Sequence, residues 1–162
     1  MGTPKGPLEI EIRPLAPKDM NQVVKISTTY FNEITTVDKL YKLLRPKNTI
    51  CLVAALKNRV IGFLIVEVYK DNFNVSNLVV HSKLRNKGIG RKLFTYLSEQ
   101  MKAMKRNVIS VCVRETNLSA QLYFKACGLR AVKVLHGHYR DTGEDGYRME
   151  FRFKWPKVKV TN

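Results

Sequence analysis

The sequence predicts a single α+β domain in which a mixed central sheet carries helices on both faces. Short segments rich in β-branched residues alternate with stretches whose apolar residues recur at helical spacing. Their order is β-α-α-β-β-β-α-β-α-β-β, which places an antiparallel meander before a β-α-β unit. A chain of 162 residues has the length of one domain, so we expect one domain over residues 1–162.

The first half of the chain contains one strand, two helices and a strand pair. Residues 8–14 (LEIEIRP) alternate apolar and polar side chains, as a half-buried strand does. Residues 16–19 (APKD) open a helix, and residues 38–44 form a second one. The apolar face of the first helix consists of Met20, Val23, Val24, Ile26 and Tyr30. Residues 49–71 are rich in β-branched side chains and predict two strands joined at Lys57-Asn58-Arg59.

The second half continues with a strand at 74–80 (NVSNLVV), a long helix from Gly88 to about Lys105, and a strand at 108–114 (VISVCVR). The inner stripe of the long helix is predicted to be Ile89, Leu93, Phe94, Leu97, Met101 and Met104. A last helix covers 117–127, and a hairpin follows it. The inward residues of the final strand are predicted to be Tyr147, Met149, Phe151, Phe153 and Trp155. Residues 156–162 are predicted to be a frayed basic tail.

The composition limits the cellular compartment and the kinds of binding partner that we expect. Lys and Arg total 29 against 13 Asp and Glu, a net charge of +16, which favours phosphates, nucleic acid or acidic proteins as partners. A basic surface that only keeps the protein soluble is the alternative. No apolar run approaches the roughly 18–20 residues of a membrane span, and no secretory signal is visible, so no membrane association is expected. Three scattered cysteines predict no metal site and a reducing cytoplasm.

The segment 77–94 (NLVVHSKLRNKGIGRKLF) predicts an anion site. A strand leads through a basic loop with two glycines into a helix, whose first backbone N–H groups and dipole favour negative charge. The loop lacks the GK(S/T) ending of a phosphate-binding Walker loop, and Leu93 stands where a dinucleotide fingerprint needs glycine. An ordinary turn with surface lysines is the alternative.

Three motifs resemble those of the GNAT superfamily of acetyltransferases. Residues 85–90 (RNKGIG) resemble its (Q/R)xxGx(G/A) motif, and 117–132 (NLSAQLYFKACGLRAV) resemble its second signature. Residues 138–151 (HYRDTGEDGYRMEF) are similar to the ending of bacterial ribosomal-protein alanine N-acetyltransferases and eukaryotic N-terminal acetyltransferases. The resemblance covers nearly the whole chain. It implies the GNAT fold, acetyl-CoA as donor and an amine as acceptor.

The resemblance also implies contacts for the cofactor. The pyrophosphate would lie on the loop residues Arg85, Asn86, Lys87, Gly88, Ile89, Gly90 and Arg91. The pantetheine would pair with Leu78, Val79 and Val80, which would place the acetyl group in the splay beside the fifth strand. Asn117 would bond the cofactor near the thioester, although it also suits a helix N-cap. Phe124 falls at the cofactor-facing position where the family carries a tyrosine acid.

The catalytic residues depart from the pattern that the resemblance implies. Cys112 stands where bacterial relatives carry a general-base glutamate, and Phe124 cannot donate a proton. Tyr123 is one place earlier, about 100° around the helix. Tyr139 is a candidate acid, and with His138 a candidate substrate-binding pair; an exposed hairpin pair is the alternative. Glu67 is a candidate base acting through water, or a strand-face charge. Cys112 is a catalytic candidate or a small strand residue.

The expected reaction is direct acetyl transfer to a primary amine in a ternary complex, with the α-amino group of a protein or peptide as the preferred acceptor. Two alternatives remain open. One keeps the reaction but uses a small amine or a lysine side chain. The other is a non-catalytic acyl-CoA-binding or ribosome-associated module, for which the charge and the two departures argue. Either way a monomer or a homodimer is expected.

Overall fold

The strands and helices of the chain follow the predicted order. The computed structural model describes residues 9–30, 34 and 36–157, with the side chain of Tyr30 outside that part. The elements are β1 (Ile10–Pro14), α1 (Met20–Tyr30), α2 (Val37–Leu44), β2 (Thr49–Leu56), β3 (Arg59–Val68), β4 (Asn72–Val80), α3 (Ile89–Ala103), β5 (Val108–Arg114), α4 (Leu118–Ala126), β6 (Arg130–Tyr139) and β7 (Glu144–Arg152). Single turns of 3-10 helix precede α1 and follow β4. The predicted mixed α+β class is confirmed.

The chain divides into two compact units. The first comprises residues 1–67 and 76–96, and the second comprises residues 68–75 and 97–162. The strand β4 and the helix α3 each contribute residues to both units. The prediction of one domain over the whole chain stays a prediction, and residues 158–162 of the predicted tail lie outside the described part.

The first unit contains the antiparallel meander. Its strand order is β1-β2-β3-β4, with β1 antiparallel to β2 and β2 antiparallel to β3. Apolar side chains of α1 and α2 pack on these strands because both helices present an apolar stripe. The buried cluster is Met20, Val23, Ile26, Ile34, Leu40, Cys51, Val53, Val60, Phe63, Ile65 and Val79. Burial raises the pKa of the Cys51 thiol to about 12, so this sulfur stays protonated.

A buried ion pair fixes the entry to α1. The Asp19 carboxylate is almost fully buried and accepts two hydrogen bonds from the Arg13 guanidinium, at 2.6 and 3.0 Å. It also accepts the Ala16 backbone N–H at 2.8 Å. The Arg13 hydrogen bonds lower the pKa of Asp19 against the opposing effect of burial. The pair therefore ties β1 to the start of the helix that follows it.

The second unit contains the β-α-β crossover and the final hairpin. Its strand order is β4-β5-β7-β6. Residues Asn72–Val75 pair in parallel with Val108–Val111, and β7 is antiparallel to both β5 and β6. This parallel pair confirms the predicted β-α-β unit. The buried apolar side chains of this unit are Phe73, Val75, Leu97, Met101, Val108, Ile109, Val111, Val113, Phe124, Leu129 and Met149.

Two predicted core residues are wrong. Helix α3 ends at Ala103 because Lys105 takes a left-handed conformation (φ 54°) and its N–H bonds to Lys102 O at 2.9 Å. Met104 therefore turns to the surface and is 41% exposed. Strand β7 ends at Arg152, so the alternation does not extend to Trp155, which is 47% exposed and meets the Phe153 ring edge-on at 4.9 Å.

Candidate active site

The loop between β4 and α3 is built by short backbone bonds. The His81 N–H bonds to Ile61 O at 2.8 Å as β4 ends, and the next residues make one turn of 3-10 helix. The Arg85 Nε donates to Val80 O at 3.2 Å, which folds the side chain back across that turn. We call residues Arg85–Arg91 the anion loop. It lies entirely within the first unit.

The anion loop needs two left-handed residues to reach the helix. Asn86 has φ 60° and Gly88 has φ 79°, a region that Asn and Gly enter most easily. A Cβ built on Gly88 would meet nothing within 4 Å, so the backbone there is open to a ligand. The first helical bond runs from Lys92 N–H to Gly88 O at 3.0 Å, and buried Ile89 anchors the helix start.

The predicted pyrophosphate residues fall on this helix start. Arg85, Asn86, Lys87, Gly88 and Arg91 are exposed, Gly90 is half-buried, and only Ile89 points into the core. Three exposed cationic residues, Arg85, Lys87 and Arg91, are therefore next to a helix N-terminus that already favours an anion. This geometry suits a ligand that carries several phosphate oxygens.

The last residues of β4 lie just before the anion loop. Leu78 and Val80 are half-buried and Val79 is buried. A Cβ built on Gly62 of β3 would lie only 2.8 Å from Val79 O, so glycine lets these two strand backbones approach closely. The backbone around Val79 therefore lies close against β3. Its predicted pairing with pantetheine stays a prediction.

A second group of predicted residues meets in the second unit. The Tyr139 hydroxyl donates to Cys112 O at 3.1 Å, and the Tyr139 ring meets the His138 ring edge-on at 5.0 Å. A Cβ built on Gly146 would lie 2.5 Å from Cys112 Sγ and 3.2 Å from the His138 side chain. Cys112, Arg114, His138, Tyr139 and Gly146 form what we call the hairpin cluster.

Arg114 belongs to the hairpin cluster although nothing in the sequence indicated it. Its guanidinium lies 3.9 Å from the centre of the Tyr139 ring. It also forms ion pairs with Asp141 at 2.8 Å and Glu144 at 2.9 Å. The pKa of Arg114 is raised, mainly by its hydrogen bond with Asp141. The pKa of Glu144 is lowered, mainly by hydrogen bonds from the Thr116 and Thr142 hydroxyls. The contacts hold the aromatic ring by its face.

The two α4 residues of interest have structural contacts. Asn117 is the N-cap, and its Oδ1 accepts the Ala120 N–H at 3.1 Å, so the N-cap alternative is confirmed for the oxygen atom. Its amide Nδ2 is a different atom, and the predicted cofactor bond stays a prediction. Phe124 is buried, and Tyr123 meets it edge-on at 4.9 Å.

Glu67 lies one residue before the end of β3, half-buried, in the first unit. The structure thus brings Cys112, His138 and Tyr139 together and groups the anion loop with the end of β4. Among residues 9–30, 34 and 36–157, no three His, Cys, Asp or Glu side chains are grouped to hold a metal ion. Within the same residues, no helix is long and apolar enough to span a membrane.

Comparison with known proteins supports one family. The profile of the acetyltransferase (GNAT) family matches residues 18–129. A Bacillus subtilis protein, provisionally named a [ribosomal protein bS18]-alanine N-acetyltransferase, is 25% identical over 85% of this chain and 92% of its own. An N-alpha-acetyltransferase of Saccharolobus solfataricus is 28% identical over 81% of this chain and 86% of its own.

Solved structures match the fold. The ribosomal-protein-S18-alanine N-acetyltransferase of Escherichia coli superposes with a TM-score of 0.81 at 16% identity, covering 94% of this chain and 99% of that one. Other solved neighbours hold coenzyme A or acetyl-CoA. The family profile spans well over half of the sequence, and the strand and helix order agrees with these folds. The chain therefore belongs to the acetyltransferase (GNAT) family.

Proposed function

We propose that this protein transfers an acetyl group from acetyl-CoA to the α-amino group of a protein or peptide. The observation that carries the proposal is the anion loop at the start of α3 in a chain of this family. The relative from Bacillus subtilis is named as an N-acetyltransferase, which supports an amine acceptor. The relative from Saccharolobus solfataricus is named as an N-alpha-acetyltransferase, which supports an α-amine. Free Cys51, Cys112 and Cys127 support a reducing compartment, the cytoplasm.

The anion loop fits the pyrophosphate of CoA in shape and charge. Gly88 has a positive φ and open space at its Cβ position, so phosphate oxygens can reach the backbone N–H groups. Exposed Arg85, Lys87 and Arg91 add formal positive charge. We assign the pyrophosphate to the backbone of this loop, the pantetheine to Leu78–Val80, and contacts nearer the thioester to Asn117 and Phe124.

Acetyl-CoA supplies an activated acetyl thioester, which only a neutral amine attacks. An α-amine is largely protonated near neutral pH, so the protein must provide a base. We assign this step to Glu67, acting through a water molecule. Glu67 as a residue is half-buried near the end of β3, so it is partly accessible to solvent.

The departing sulfur needs a proton, and we assign its donor to Tyr139. Arg114 holds the Tyr139 ring from its face, so the ring is positioned, and in the resting protein its hydroxyl donates to Cys112 O. The hydroxyl must turn away from that carbonyl to protonate the sulfur. Cys112 enters the proposal through its carbonyl oxygen, because its thiol is packed against Gly146. His138, next to Tyr139, is assigned to the acceptor peptide.

A competing proposal is a module that binds acyl-CoA without catalysis. Its support is specific: Phe124 is buried at the position of the family's tyrosine acid, and the Tyr139 hydroxyl is already bonded to a backbone carbonyl. Transfer to a lysine side chain or a small amine is the other competitor. Both competitors leave the anion loop with the same role.

Acetyl-CoA turnover against four acceptors separates these proposals. The acceptors are a lysine-free peptide with a free N-terminal alanine, the same peptide blocked at its N-terminus and given one lysine, spermidine, and an aminoglycoside. We expect kcat/KM for the free α-amine to exceed the others at least about tenfold, a difference of roughly 1.4 kcal/mol in transition-state binding. Turnover on the blocked lysine peptide alone would overturn the α-amine. Tight acetyl-CoA binding without any turnover would establish the binding module.

A further inference from the structure

One face of the second unit's sheet collects polar side chains that the proposed reaction does not use. Register places Asn74 beside Ser110, Ser110 beside Glu150, and Glu150 beside Arg130, so these side chains share a face. We call this surface the polar face. Its residues are Asn72, Asn74, Ser110, Arg130, Lys133, Arg148, Glu150 and Arg152.

The polar face carries four cations and one carboxylate. Glu150 is buried and accepts Arg148 Nε at 2.9 Å and Arg152 Nη2 at 2.6 Å. Burial opposes ionisation, but these two hydrogen bonds together lower the pKa of Glu150, so it remains charged. The guanidinium groups stay at the surface, with side chains 40% and 65% exposed. The carboxylate therefore orients two arginines without covering them.

Donors remain available on this face. Arg148 uses only Nε toward Glu150, and its terminal nitrogens have no acceptor within hydrogen-bond distance among the described residues. Arg130 and Lys133 on β6 are exposed beside this pair, in register with Glu150 and Arg148. The backbones of these two strands lie about 5 Å apart, and Arg148 and Arg152 lie about 13 Å apart along β7. Asn72 and Asn74, bonded to the Ser110 hydroxyl, continue the flat surface as neutral groups.

We propose that the polar face binds the phosphate backbone of RNA without reading its sequence. Three of its four cations are arginines, whose planar fork matches phosphate oxygens in pairs. None of its eight residues has an aromatic ring on which a base would stack, so affinity comes from phosphates alone. Arg148 is in register with Cys112 of the hairpin cluster. RNA bound here would lie beside that cluster, which suits a protein acceptor carried on RNA.

The test is binding of a fluorescent 20-nucleotide oligouridylate, measured by anisotropy between about 50 and 200 mM salt, with CoA at saturation to occupy the anion loop. Arg130→Glu with Lys133→Glu changes two exposed residues and replaces neither Glu150 nor its two arginine partners. Lys25→Glu with Lys39→Glu is the matched control, since these lysines are exposed on α1 and α2 and the change in net charge is the same. Thermal unfolding of both variants and their acetyl-CoA binding check the fold.

We expect the Arg130/Lys133 variant to bind RNA at least about tenfold more weakly at the lowest salt. Its slope of log K against log salt should be shallower by about 1.4, because about two phosphate contacts are lost from a single strand. The control should change affinity less than about twofold. Equal weakening in both variants, no wild-type binding at low salt, or loss of binding when CoA is added would each overturn the proposal. So would competition by polyglutamate as strong as by RNA of equal charge, which would indicate an acidic protein instead.

Discussion

The anion loop and the hairpin cluster position their groups by different means. In the anion loop the backbone is decisive: left-handed Asn86 and Gly88 lead the chain into the helix, and exposed cationic residues lie in the same loop. In the hairpin cluster side chains hold one another, since Arg114 lies on the Tyr139 ring and is itself fixed by Asp141 and Glu144. A backbone site tolerates changes of side chain that keep its dihedral angles. A cluster of side chains depends on each member.

Two buried glycines show the same contrast. A Cβ on Gly62 would strike the Val79 carbonyl oxygen at 2.8 Å, whereas a Cβ on Gly146 would strike the Cys112 sulfur at 2.5 Å. The first obstacle is main chain in a sheet and cannot withdraw. The second is a side chain that another substitution can remove. The two regions therefore differ in whether a second substitution can relieve the steric overlap that an added methyl group causes.

The largest expected effect tests whether acetyl-CoA binding at the anion loop depends on electrostatic attraction or only on the shape of the loop. Asn and Asp both tolerate a positive φ and have the same size, so Gly88→Asp and Gly88→Asn differ mainly by one negative charge. At about 4 Å and an effective dielectric of about 20, that charge costs roughly 4 kcal/mol against a phosphate. We expect Gly88→Asp to weaken acetyl-CoA binding at least about 10²-fold in calorimetry, and Gly88→Asn less than about fivefold.

A control variant addresses backbone strain separately. Gly143, in the hairpin turn, has φ 73° and open space at its Cβ position, like Gly88. Gly143→Asp should leave acetyl-CoA affinity unchanged. Equal losses in Gly88→Asp and Gly88→Asn would mean that the loop conformation, and not charge repulsion, governs binding.

The next effect concerns the hairpin cluster as an acid. Tyr139→Phe removes the hydroxyl that bonds to Cys112 O but keeps the ring on Arg114. If Tyr139 protonates the departing sulfur, kcat at saturating acceptor should fall about 10²-fold and the basic limb of the pH–rate profile should move. Phe124→Tyr should leave turnover nearly unchanged or raise it. A Tyr139→Phe enzyme with full turnover and an unchanged basic limb would leave water, or an unassisted thiolate, as the route.

The third effect compares how far Cys112→Ala relieves the stability cost of adding a methyl group at Gly146 and at Gly62. Gly146→Ala should lower the free energy of unfolding by about 2 kcal/mol, because the added methyl overlaps Cys112 Sγ. The same change in a Cys112→Ala background should cost less, since the sulfur is gone. Gly62→Ala should cost a similar amount in both backgrounds. Denaturant unfolding of the three single and two double variants measures this, and a Gly146→Ala cost that Cys112→Ala does not relieve would contradict the contrast.

The smallest effect contrasts a buried charge with an exposed one. Asp19→Asn should cost about 1.5 kcal/mol of stability at neutral pH, because Arg13 loses a charged partner. The pKa of Asp19 is lowered in the fold, so its contribution is complete above the ordinary value of 3.8 and disappears as pH falls through the folded value. The two proteins should therefore converge in acid. Asp141→Asn, at an exposed ion pair, should leave the melting temperature unchanged.

Sequence patterns predict the anion loop and the order of elements because both depend on local spacing. A strand, two glycines and an apolar helical stripe determine where the helix begins. Arg114 escapes such reasoning because its partners Asp141 and Glu144 follow it by 27 and 30 residues and approach it only through the hairpin register, which shifts between Leu135 and Tyr139. The apolar spacing also does not predict the exposure of Met104, because the left-handed Lys105 ends the helix where that spacing alone would continue it.

The protonated, buried thiol of Cys51 is a built-in probe for opening of the first unit's core. A thiol reacts with alkylating or disulfide reagents only as the thiolate and only when a reagent reaches it. Cys112 and Cys127, both half-buried, are shielded less completely. Slow labelling of Cys51 would therefore proceed only through opening of the core beneath α1 and α2. The ratio of its labelling rate to that of an unprotected thiol, followed by mass spectrometry, gives the free energy of that opening when reclosing is fast.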